Sequence, residues 1–346
     1  MNRHIFATIF AVACLLPLPA LAQGVADFYR GKSIRLIVGA AVGGGYDIPA
    51  RLLATHMPRH IPGNPSIVVE NMPGATSLIM TNYLYARAPR DGTAMGMPNN
   101  NVPLEPRLKL LSRDGGNVSF DIGKFGWVGS PVQEPQILFT LTSAAGRFDD
   151  LKTRKVVLGS TGRSADNYSL PFMLNQLLGA KTEIVPGYKG QSDIFIAIDR
   201  GEVQGNSTGL TNLLVTKPDW VRDDRVRILV QFGATRAREI PDVPTAIELA
   251  PDETTRDLFR FFGMKFLMAR PIALPPDVPP ERVKALQDAF DATMKDEAFL
   301  ADAKKIGLEI NPVSGTDVAK LVADMQAVPE SVVDRLRDVL SGAQGK

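Results

Sequence analysis

Apolar and polar positions follow two different periods along the chain. Ser33-Ile34-Arg35-Leu36-Ile37-Val38 is a β-branched run that predicts a strand. After a glycine-rich turn, Ile48, Leu52, Leu53 and Met57 fall at helical spacing. Residues 66–70 predict a second strand, followed by Asn71-Met72-Pro73-Gly74-Ala75 and a helix over 77–86. Residues 93–97 predict a third, ending in Pro98-Asn99-Asn100-Asn101. The pattern then restarts. Residues 127–141 read as one extended stretch, 156–158 as a strand, 166–178 as a helix, 183–186 as a strand and 193–200 as a helix. Residues 203–206 and 226–232 read as further strands. Two rounds of strand, turn and helix predict an α/β chain of two similar lobes.

The end of the chain differs. Pro275-Pro276-Asp277-Val278-Pro279-Pro280 is a stiff connection, and helices dominate from Glu281 onward. Val283, Leu286, Phe290 and Met294 share one helical face, as do Val318, Leu321, Val322 and Met325, and both stripes read as core packed on the first lobe. The expected organisation is a cleaved leader over 1–22, a first lobe over 23–130 and a second over 131–235. Residues 236–346 return to the first lobe, with crossings near 127–141 and 230–240.

The leader is read from Arg3 and His4, the apolar run from Ile5 to Ala20, and the small-x-small site Ala20-Leu21-Ala22 before Gln23. The run falls short of the ~20 residues that cross a hydrocarbon core. Export to the periplasm is therefore expected. The one cysteine, Cys14, leaves with the leader, so a disulfide or cysteine nucleophile is not expected. A formal net charge of +2 without a basic run argues against nucleic acid.

Three turns after predicted strands carry the candidate chemistry. Gly43, Gly44, Gly45, Tyr46 and Asp47 stand between a strand and a helix. There glycine allows close backbone approach, and a helix start offers unpaired N–H groups to a carboxylate or phosphate. The spacing is neither G-x-G-x-x-G nor a P-loop. The plainer reading is a tight turn capped by Asp47. Pro73-Gly74-Ala75-Thr76-Ser77 repeats the arrangement, and so does the run from Gly159 to Asn167 with Ser160, Thr161, Gly162, Ser164 and Asn167. Ends of parallel strands share one edge of a sheet, where ligands of open α/β sheets bind. Gly205-Asn206-Ser207-Thr208-Gly209 matches a nucleophile elbow, but no histidine follows Ser207 to complete a triad. His56 and His60 are four apart, yet Pro58 lies between them and no H-E-x-x-H pattern exists, so they read as a solvated helix end. No enzyme chemistry, metal or cofactor is expected.

At these residues the chain resembles the receptors of tripartite tricarboxylate transporters, the Bug-type periplasmic proteins. The resemblance runs from about Phe28 to the C-terminus. It rests on Ile34–Val38 before the glycine turn, Ala50-Arg51-Leu52-Leu53, Val68-Val69-Glu70-Asn71-Met72-Pro73-Gly74-Ala75 and Ala88-Pro89-Arg90-Asp91-Gly92-Thr93. Gly159-Ser160-Thr161-Gly162, Val185-Pro186-Gly187-Tyr188-Lys189-Gly190 and Pro241-Asp242-Val243-Pro244-Thr245 extend it. It implies a two-lobed, type II periplasmic binding fold closing over a small organic acid, which is passed to a membrane transporter of the tripartite tricarboxylate type. By that resemblance Gly43–Asp47 and Gly74, Ala75, Thr76 and Ser77 hold one carboxylate. Ser160 to Asn167, with Tyr188, Lys189 and Gly190, read the rest of the ligand. Asn99 and Thr208 complete the expected site of a monomeric receptor. Ala40-Ala41-Val42, Tyr46 and Gly187 depart from the usual family pattern, which leaves the acid itself open. The alternatives are a ligand-sensing co-receptor for a two-component kinase and a periplasmic enzyme on the same scaffold.

Overall fold

The computed structural model describes residues 20–110, 117–163 and 165–342. The leader up to residue 19, with Cys14, and the candidate Ser164 lie outside the described residues. In chain order the strands are β1 (Ser33–Val38), β2 (Ser66–Asn71), β3 (Ala94–Met97), β4 (Gly126–Ser130), β5 (Gln136–Leu141), β6 (Val156–Ser160), β7 (Thr182–Pro186), β8 (Gly205–Gly209), β9 (Val226–Phe232), β10 (Ile272–Leu274) and β11 (Val313–Ser314). They form two sheets, ordered β11-β4-β10-β3-β1-β2 and β7-β6-β8-β5-β9.

In the first sheet β1 pairs in parallel with β2 and β3, placing Leu36 beside Val69 and Met95. In the second, β6 pairs in parallel with β7 and β8. Strands covered on both faces favour near-continuous apolar runs, which is why β3 shows no alternation. The edge strand β2 is only half-buried.

Residues 127–141 are two strands in different sheets, not one extended stretch. Pro131 and Pro135 bound the break, and proline has no N–H to give to a ladder. The strand expected at 203–206 lies later, at β8, and takes in the whole Gly205–Gly209 run.

The chain leaves the first sheet after Ser130, leaves the second after Phe232 and re-enters the first at Ile272. Its connecting segments hold one another by backbone bonds. Ala269 N–H donates to Val132 O at 3.0 Å, Gln133 N–H to Asn311 O at 3.0 Å and Asn311 N–H to Pro131 O at 3.1 Å.

Both C-terminal stripes are core. Leu286, Phe290, Val318 and Met325 are fully buried. The helices Pro280–Thr293 and Gly315–Ala327 pack on β4. The last helix, Glu330–Ser341, packs on Glu105–Leu108 after β3 and also on Glu253–Gly263 and on Asp166–Leu178 beside the second sheet. One apolar cluster runs from Ile37 and Leu78 through Trp127 to Leu138 and Leu158, so the two sheets share a continuous core.

Candidate functional site

The glycine turn follows β1 and is held from below by Asp47. The Asp47 carboxylate, 1% exposed, accepts from Gly43 N–H at 2.8 Å, Arg51 Nε at 2.8 Å and Asn71 Nδ2 at 2.9 Å. The Arg51 guanidinium, helped by the Gly43 amide and Asn71, pulls this carboxyl down to about 2. Asp47 thus shapes the turn, as its plainer reading held. The amides of Gly45, Tyr46 and Asp47 have no acceptor among the described residues. They open the ten-residue helix Asp47–His56, where the aligned peptide dipoles favour an anion. The Tyr46 hydroxyl accepts from Asn100 N–H at 3.1 Å and lies 3.3 Å from Asn100 Oδ1, which fixes the ring between the ends of β1 and β3.

The second turn has an unusual backbone. Gly74 has φ 135°, and Ala75, Thr76 and Ser77 follow at 44°, 49° and 74°. Three successive non-glycine residues in the left-handed region cost roughly 1–2 kcal/mol each, and such strain concentrates where a ligand is handled. The buried Ser77 hydroxyl donates to Gly39 O at 2.8 Å and accepts from Asn99 N–H at 3.1 Å. Asn99 Oδ1 in turn accepts from Asn101 N–H at 2.9 Å. Ser77 and Asn99 therefore lock the three turns of the first sheet together. The amides of Ala75, Thr76 and Ser77 have no acceptor among the described residues.

In the second sheet the loop after β6 closes on one atom. Asn167 Oδ1 accepts from Ser160 Oγ at 2.8 Å, Thr161 N–H at 3.2 Å and Thr161 Oγ1 at 3.3 Å. Gly162 N–H adds a bond to Ser160 Oγ at 3.3 Å. Tyr188 N–H donates to Ser160 O at 3.2 Å, joining the loop after β7 to the same cluster. Burial pushes the Tyr188 phenol up from its ordinary value. Lys189 is exposed, with no carboxylate partner among the described residues. Gly190 precedes the helix Gln191–Asp199. Thr208 is buried within β8, opposite Ile137.

Two charged pairs that the sequence reading missed stand where the sheet edges meet. Arg270 reaches Gly45 O with Nε at 2.6 Å and Glu134 Oε2 with a terminal nitrogen at 3.1 Å, and its guanidinium lies 4.5 Å from the Tyr46 ring centre. The Glu134 carboxylate lies against Gly209 at the end of β8, only 2.0 Å from where a β-carbon there would stand. Lys265, fully buried, places its ammonium 2.5 Å from Asp166 Oδ1 and 2.6 Å from Asn101 Oδ1. Burial lowers the Lys265 pKa. Gly45 and Asn101 follow first-sheet strands, whereas Gly209 ends β8 and Asp166 opens the helix that follows β6 in the second sheet. Through these pairs the two sets of turns face each other.

The other motifs resolve differently. The Ser207 hydroxyl is buried and donates to Ile137 O at 2.8 Å, so it serves the sheet and not an elbow. His56 and His60 are not a solvated helix end. His56, 4% exposed, lies 3.1 Å from Asp302, while His60 and Arg59 meet Asp296 at 2.8 Å and 2.6 Å, tying this helix to the C-terminal segment. Among the described residues no group of three or more His, Cys, Asp or Glu could hold a metal, and no helix is long and apolar enough to cross a membrane.

The chain is 26% identical to a Cupriavidus necator protein named UPF0065 protein in gbd 5'region, over 97% of this chain and 98% of that one. A TctC solute-binding protein from Polaromonas shares the fold at a TM-score of 0.66 and 15% identity, covering 89% of this chain and 99% of that one. A Rhodopseudomonas palustris protein solved with adipate matches at a TM-score of 0.61 and 20% identity, covering 90% and 97%. Residues 50–337 match the tripartite tricarboxylate transporter family receptor, TctC. The chain belongs to this receptor family.

Proposed function

We propose that this chain is a periplasmic, monomeric receptor that captures a small carboxylate unchanged and delivers it to a membrane transporter of the tripartite tricarboxylate type. Its lobes are assigned as residues 23–130 with 236–346, and residues 131–235. The observation that carries the reading is the run of uncommitted amides at Gly45–Asp47 and Ala75–Ser77 at the ends of first-sheet strands. Amides at a helix start bind an anion without a metal and without a nucleophile. The adipate bound to the Rhodopseudomonas palustris protein supports the ligand class. Gly43 to Asp47, Gly74 to Ser77 and Asn99 form one half of the proposed site, and Ser160 to Asn167, Tyr188 to Gly190 and Thr208 the other.

The test is a thermal-shift screen of organic acids, each paired with its neutral amide. A raised melting temperature with at least one acid, absent with its amide and with the acid recovered unchanged, is the expected result. Equal shifts with acid and amide, or none with any acid, would remove the carboxylate assignment.

A further inference from the structure

Glu134 and Arg270 stand on the two connecting segments, 136 residues apart in sequence. Both are mostly buried, at 14% and 18% side-chain exposure, yet neither is sealed from water. A planar guanidinium beside a helix-start turn is a seat for a carboxylate. Here that seat is taken by a side chain of the protein. Arg270 holds the turn by Gly45 O, stacks on Tyr46 and gives a remaining N–H to Glu134. The pocket for the Glu134 carboxylate exists because residue 209 lacks a side chain. The uncommitted Gly45 amide belongs to the same residue whose carbonyl Arg270 binds.

Resting on the carboxylate-receptor reading, we propose that Arg270 is the specificity-determining cation of the cleft, and that Glu134 is a built-in stand-in which a ligand carboxylate displaces. The exchange keeps the local charge count: one carboxylate leaves the guanidinium and another takes its place. It also couples occupancy to lobe movement. Losing Glu134 from Arg270 removes a contact between the two connecting segments, while the backbone bond from Ala269 to Val132 remains. Of the other cations near the first-sheet turns, Lys265 is fully enclosed by Asp166, Asn101 and Phe262, and Arg51 is spent on Asp47.

The test titrates the wild-type chain, Glu134→Gln and Arg270→Gln with acetate, benzoate, malate, adipate and citrate by calorimetry, with adipamide as the neutral control. The proposal expects Glu134→Gln to bind the preferred acid at least about threefold more tightly, because the internal competitor has lost its charge. Arg270→Gln is expected to weaken it at least about tenfold. Should Arg270→Gln fail to fold, the gain in Glu134→Gln decides alone. Acids that bind all three chains alike would overturn the role of Arg270 while leaving the receptor reading intact. Absence of binding to every chain would overturn both.

Discussion

Asp47 shows how much of a binding turn is internal support. Its carboxyl titrates at about 2 in the folded chain, against an ordinary value of 3.8. A depressed folded value means that the ionised form stabilises the fold above about pH 4. That contribution is lost as pH falls toward 2. Arg51 is half-exposed, so solvent screening limits the gain to roughly 1 kcal/mol. Asp47→Asn should therefore lower unfolding free energy by about that amount at pH 7, and the difference should shrink steadily as the pH falls from about 4 toward 2, as read by urea denaturation. A difference independent of pH would show that shape, not charge, is what Asp47 supplies. The glycine turn and Asp47 were legible because glycine runs between a strand and a helix have few meanings. Arg270 and Glu134 were not legible. Each is a single charge in an irregular segment, and only the fold brings them together. His56 and His60 were misread for the same reason, since Asp302 and Asp296 lie more than two hundred residues away.

At the scale of elements, the turn from Gly74 to Ser77 carries the most strain. The Thr76 side chain is exposed and has no hydrogen bond among the described residues, so its φ of 49° brings a cost with no visible contact in return. Thr76→Gly removes the Cβ clash and should raise unfolding free energy by ~1 kcal/mol, net of the extra freedom glycine gives the unfolded chain. Chemical denaturation checks this, and a lower midpoint would mean that the hydroxyl is used. Helices such as Asp166–Leu178 and strands such as Val226–Phe232 were read from periodicity with their observed bounds. The break at Pro131 and Pro135 was missed because the flanking strands are both apolar. Period alone cannot tell one long strand from two that part to different sheets.

For the whole molecule, the two-lobed α/β architecture followed from the repeated strand, turn and helix pattern. The reach of the last helix to Asp166–Leu178, which flanks the second sheet, did not, because an apolar stripe does not name its partner. The central claim is that one small acid is held by both sets of turns, so that binding and lobe approach are thermodynamically linked. Two single substitutions test it with little disturbance of the fold. A side chain at Gly45 would project toward Arg270, its first atom 3.4 Å from the guanidinium, and would crowd the first set. Lys189 is exposed and unpaired among the described residues, so Lys189→Ala removes only what it gives to a ligand. The deciding measurement is calorimetric affinity of the preferred acid for Gly45→Val and for Lys189→Ala, with circular dichroism unchanged. The account predicts that each weakens binding at least tenfold, about 1.4 kcal/mol. Full affinity in either variant would place the acid on one lobe alone and contradict it.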